Sequence, residues 1–111
     1  MQRIYFCTGS SFFTGDAIAA AVLDYALALG ELHRFASVDL PVRRLDGSEG
    51  RATLLLGPVS QISTESVETD LPEVLDADLV AGVRAAAGLL RDPLVVAPAY
   101  DEWDEDLVPG A

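Results

Sequence analysis

The sequence predicts an α+β fold, a two-layer sandwich with two helices on one face of an antiparallel sheet. Three observations point there. The apolar pattern alternates between strand-like and helix-like periods in the order β-α-β-β-α-β. The first and third strand candidates are continuous apolar runs, while the second and fourth carry or adjoin prolines. The chain has 111 residues, 50% of them hydrophobic, which suits one core.

Arg3 to Cys7 reads as the first strand, since Ile4-Tyr5-Phe6-Cys7 is continuously apolar. Residues 8–15 read as a loop. Thr14 or Asp16 can cap the helix that follows, and Asp16 suits the positive end of its dipole. That helix is expected from Asp16 to about His33. Ile18, Ala21, Val22, Tyr25, Ala26, Leu29 and Leu32 carry the spacing of one buried face. On the opposite face Leu23 and Leu27 stand one turn apart among Asp16, Asp24 and Glu31.

From Ala36 the period becomes two, with Ala36, Val38, Leu40 and Val42 on one side. Pro41 cannot donate to a ladder, which predicts an edge strand. Asp46-Gly47-Ser48-Glu49-Gly50 is a turn, so the next strand returns as a hairpin. It starts near Arg51, and the run Thr53-Leu54-Leu55-Leu56 predicts a central place for it. Gly57-Pro58 ends or bulges it. Val59 to Val67 is polar enough to leave its state open.

Asp70-Leu71-Pro72-Glu73 has the composition of a helix start. Leu75, Leu79, Val83, Ala86 and Leu90 then form an apolar stripe, and Asp92-Pro93 stops it. Leu94-Val95-Val96-Ala97 is a short last strand between Pro93 and Pro98. Residues 1–99 thus form one domain, and 100–111 an acidic C-terminal tail. With the first and third strands in the middle, this order is ferredoxin-like.

The net charge is −11, and every positive charge is an arginine. Such a surface repels phosphate backbones and anionic lipid, which argues against nucleic-acid and membrane partners. No apolar run approaches the roughly 20 residues of a membrane span. The first residues lack a signal-peptide pattern, and the one cysteine cannot form an internal disulfide, so the expected location is cytoplasmic.

The stretch "YFCTGSSFFTGDAIAAAV" has the layout of a phosphate loop. A P-loop needs Gly, four residues, Gly, Lys. Here five residues separate Gly9 from Gly15, and Asp16 stands where lysine should. "FCTGSSFFTGD" resembles the opening of the low-molecular-weight tyrosine phosphatases, whose cysteine needs an arginine six positions on. Phe13 occupies that position. The same residues are similar to the flavodoxin phosphate loop, but only Thr14, Gly15 and Asp16 match, with Phe12 and Ala17 where that family has hydroxyls. The candidates for a small ligand such as phosphate, nucleotide or flavin are therefore Thr8, Gly9, Ser10, Ser11, Thr14 and Gly15.

No catalytic set emerges. His33, the one histidine, lies at the far end of the first helix, about 25 Å along its axis at 1.5 Å per residue. One histidine and one cysteine make no zinc site unaided. "DEWDED" at 101–106 lacks the spaced ligands of a calcium loop. No metal or cofactor is implied. The expectation is a small non-catalytic protein that works through protein contacts, as a homodimer. Its expected interaction residues are Phe12, Phe13, Leu23, Leu27, Tyr100 and Trp103. The acidic tail could also dock on a basic protein partner.

Overall fold

The computed structural model describes residues 1–6, 9–58 and 61–92. Cys7, Thr8, the expected strand at 94–97, Tyr100 and Trp103 lie outside the described residues.

The first correction falls on the expected loop. β1 (Gln2–Phe6) is followed by a second strand, β2 (Ser11–Thr14), and the two pair as an antiparallel hairpin with Ile4 opposite Phe12. The Gly9 N–H donates to the Phe6 carbonyl at 2.9 Å, and the Phe6 N–H donates to the Ser10 carbonyl at 3.0 Å. Gly9 has φ +91°, a conformation open to glycine and costly to other residues. Adjacent phenylalanines therefore belong to a strand and point to opposite faces. Phe12 packs against the core, its ring centroid 5.7 Å from that of Phe6. Phe13 lies on the other face.

α1 (Asp16–Glu31) follows, then the hairpin of β3 (Ala36–Arg43) and β4 (Glu49–Leu56). The hairpin turn is held by Asp46, whose carboxylate accepts from the Ser48 N–H at 2.9 Å and its hydroxyl at 2.7 Å. Gly47 within it has φ +90°. β5 (Ile62–Ser66) resolves the segment left open by the sequence and pairs antiparallel with β1. The sheet order is β4-β3-β2-β1-β5, and each strand pairing among the described residues is antiparallel.

The described order is thus ββαβββα, not the β-α-β-β-α-β of a ferredoxin-like sandwich. β4 is last in the sheet order instead of central, and β3, with its proline, lies between β2 and β4. The physical reason is local. β2 and β3 share a single register pair, Phe13 with Arg43, so the sheet is two blocks joined at one point. Pro41 needs no ladder donor on the β2 side, and its carbonyl accepts from the buried Thr14 hydroxyl at 3.0 Å. The apolar run of β4 is split between faces: Leu54 and Leu56 are buried, and Leu55 between them is 68% exposed.

One sheet face carries Ile4, Leu40, Leu54 and Leu56, all buried. α1 lies against the strands through Ile18, Ala21, Val22 and Leu29, much as its spacing predicts. It ends at Glu31, with Leu32 as C-cap and His33 at φ 55° beyond it. α2 (Ala77–Leu90) packs on α1 and brings Val83 into the same core. Its start is the last correction. The expected signal at Asp70-Leu71-Pro72-Glu73 belongs to a strap, 67–76, without helical structure. The true N-cap is Asp76, whose side chain accepts from the Leu79 N–H at 3.1 Å. Glu73 is instead engaged elsewhere, and Leu75 is 79% exposed in the strap.

Candidate functional site

Two places collect the residues singled out by the sequence. The first is the start of α1. Its N-cap is Gly15, which has no side chain to cap with, and neither Thr14 nor Asp16 takes the role. The strap supplies the acceptor instead. The Glu73 carboxylate accepts from the Asp16 N–H at 2.7 Å. It also pairs with the Met1 α-ammonium at 3.1 Å, which reaches Asp16 at 2.8 Å. The Gln2 amide bridges Asp16 and Ser66. Beside Asp16 the ammonium is held above its ordinary value, and the ammonium in turn holds the Asp16 carboxyl below its own. Gly15 itself is buried against the Val74 carbonyl, which stands where a Cβ would project.

The ligand candidates are therefore distributed as follows. Gly9 makes the hairpin turn, and Ser11 accepts from Arg3 Nε at 3.0 Å on the sheet. Thr14 bonds the Pro41 carbonyl, Gly15 meets the strap, and Ser10 supplies the turn's carbonyl acceptor. Thr8 lies outside the described residues. The anion position at the helix N-terminus is filled by the chain's own carboxylate.

Phe13 sits on the sheet face opposite the helices with Arg3 and Tyr5. The Arg3 guanidinium carbon lies 4.8 Å from the Tyr5 ring centroid and 6.0 Å from that of Phe13. The Tyr5 hydroxyl donates to Glu65 at 2.8 Å, and that bond to a carboxylate raises the phenol above its ordinary value. Arg3, Tyr5 and Phe13 are half-buried, and Glu65 is exposed.

The second place is the outer face of α1. Leu27 is 61% exposed and Leu23 is half-buried. With Ala26 they line one wall of a groove of about 440 Å³, and Pro58 and Ile62 line the other. Glu31 stands at its rim. The Leu23/Leu27 stripe is thus part of a concave apolar surface, built partly by residues the sequence did not single out. Pro58 and Ile62 come from the connection between β4 and β5 and its first strand residue. Arg91, at the C-cap of α2, donates to the Asp24 carboxylate at 2.9 Å and lies 4.0 Å from Glu31. It neutralises the acids beside the stripe. A lone arginine at a helix end was the available signal for that contact.

Among the described residues no group of three or more His, Cys, Asp and Glu is placed to hold a metal ion. No described helix is long and apolar enough to cross a membrane. Tyr100 and Trp103 lie outside the described residues. No family model, no curated protein and no solved structure matches this chain.

Proposed function

We propose that this chain is a small non-catalytic cytoplasmic protein that acts through protein contacts and forms a homodimer through the outer face of α1. The observation that carries the reading is the groove between Leu23/Leu27 and Pro58/Ile62. A leucine 61% exposed at the lip of an apolar concavity costs free energy in water and gains it when a partner covers it. The acids that would repel a second acidic chain are partly neutralised there by Arg91. The rival reading, a small-ligand binder or enzyme at the 8–16 loop, is weakened because Glu73 already engages the helix N-terminus. A basic partner for the acidic tail is a further proposal, tested by capture with and without residues 100–111.

The test is sedimentation of the full chain across concentration, alongside Leu27→Asp. The reading predicts a reversible dimer at high micromolar concentration that Leu27→Asp weakens by about tenfold or more, the effect of a charge in an apolar contact. A chain that stays monomeric throughout contradicts it.

A further inference from the structure

We propose that the outer edge of β5 is a docking site for a basic extended peptide, which adds there as a further strand. β5 is last in the sheet order, and among the described residues it pairs only with β1. The ladder fixes which backbone groups that leaves over. The Val67 N–H donates to the Met1 carbonyl at 3.0 Å, and the register continues with Gln2 opposite Ser66 and Arg3 opposite Glu65. Residues that exchange hydrogen bonds alternate along an antiparallel pair. Ser63 and Glu65 are in step with Val67 and turn their backbone groups toward β1. The other side of β1 gives the same phase. There the Phe6 N–H donates to the Ser10 carbonyl, so even-numbered residues of β1 serve β2 and odd-numbered ones serve β5. Thr64 and Ser66 therefore present N–H and C=O to the open side. Sheets blunt such edges with proline, lysine or a bulge. Ile62-Ser63-Thr64-Glu65-Ser66 has no proline and no lysine, and its register with β1 is unbroken.

Charge selects the partner. The stretch between Arg51 and Arg84 holds six acids and no basic residue. Of these, Glu65 lies on β5 and Glu68 and Asp70 follow it closely, and all three are exposed. Glu68 and Asp70 make no ion pair with a described residue. One Glu65 oxygen accepts from the Tyr5 hydroxyl at 2.8 Å, and a carboxylate has further acceptor sites for a cation. A second copy paired along this edge would set these acids against their own kind. Lysines at alternate positions of a peptide would instead meet Glu65 across the edge. Main-chain hydrogen bonds supply the affinity, and the acids choose the charge. The five residues of β5 span about 17 Å, the length of a peptide strand of similar size. Thr64 and Ser66 are not part of the Leu23/Leu27 groove, so the two surfaces are separate.

The experiment titrates the full chain into a fluorescent peptide of alternating lysine and valine, about seven residues long, read by anisotropy. One control peptide has glutamate for lysine. The other is the lysine peptide N-methylated throughout, which keeps its charge and loses its backbone donors. The expected result is saturable binding of the lysine peptide, weakened about tenfold or more in each control. Thr64→Pro removes one outward N–H without touching the β1 ladder, and should weaken binding about tenfold. Glu68→Lys/Asp70→Lys changes only exposed side chains and should act in the same direction. If Thr64→Pro does not fold, the N-methylated peptide and the charge variant decide. Leu27→Asp should bind the peptide as wild type does; loss there puts the peptide in the groove and overturns the inference. No binding overturns it too. So does binding that N-methylation leaves unchanged, which is general attraction to an acidic protein.

Discussion

At Gly15 a single missing side chain decides how α1 begins. The helix has an N-cap without a capping atom, and Glu73 from a distant strap fills the vacancy. Gly15→Ala would drive a Cβ into the Val74 carbonyl and should destabilise the fold by about 1–3 kcal/mol, read from urea midpoints. Glu73→Ala removes the acceptor and should cost about 1 kcal/mol by the same measurement. The Met1–Asp16 pair has a pH signature. The Asp16 carboxyl is lowered, so its contribution is complete above the ordinary carboxyl range and is lost as pH falls through the lowered value. The Met1 ammonium is raised, so its contribution is complete below its ordinary value of 8.0 and is lost as pH rises through the raised value. Melting temperatures of wild type and Asp16→Asn, in protein with a free Met1 amine, should differ most near neutrality and converge as pH falls through the lowered carboxyl value and as it rises through the raised ammonium value. A constant difference would show that the ion pair is not its source.

The strands and helices differ in how readily the sequence announces them. α1 was legible because its residues repeat one apolar spacing, of which Ile18, Ala21, Val22 and Leu29 are buried and Tyr25 and Ala26 half-buried. β3 was legible through alternation over eight residues. β2 was not, because four residues between glycines carry too little period, and Phe12-Phe13 reads as a loop until their opposite faces are known. β5 was hidden by its composition, with Ile62 the only large apolar residue in it. The start of α2 was misread because an acid, a proline and a glutamate make a helix signal even where tertiary contacts employ them otherwise. Pro72 offers its carbonyl to Arg43 at 3.3 Å, and Glu73 caps a different helix. The two phenylalanines test the β1–β2 hairpin. Phe12→Ala should cost about 3 kcal/mol, since its ring joins the core beside Phe6. Phe13→Ala should cost about 1 kcal/mol, since it loses one exposed-face contact with Arg3. Equal losses in chemical denaturation would contradict the assignment of faces.

Across the whole molecule, two kinds of leucine separate stability from contact. Leu40 is fully buried at the centre of the cluster, and its truncation to alanine should cost about 2–5 kcal/mol. Leu27 lies at the groove lip, and Leu27→Ala should leave the unfolding free energy within about 0.5 kcal/mol while weakening association. The Leu23/Leu27 stripe was visible in the sequence, but the facing wall was not. Pro58 and Ile62 are distant from α1 in sequence, one just after β4 and the other at the start of β5, and no local pattern announces that they face it. The loop at 8–16 had the layout of a ligand site, yet the Ser11 and Thr14 hydroxyls and the helix N-terminus are engaged by the protein itself. A second copy of this protein is proposed to meet the outer face of α1. Amide chemical shifts recorded over rising protein concentration test it most directly. A homodimer through this face predicts changes concentrated at residues 20–31 and at Gly57 and Ile62. No change with concentration, or changes gathered around Arg3, Tyr5 and Phe13, would contradict it.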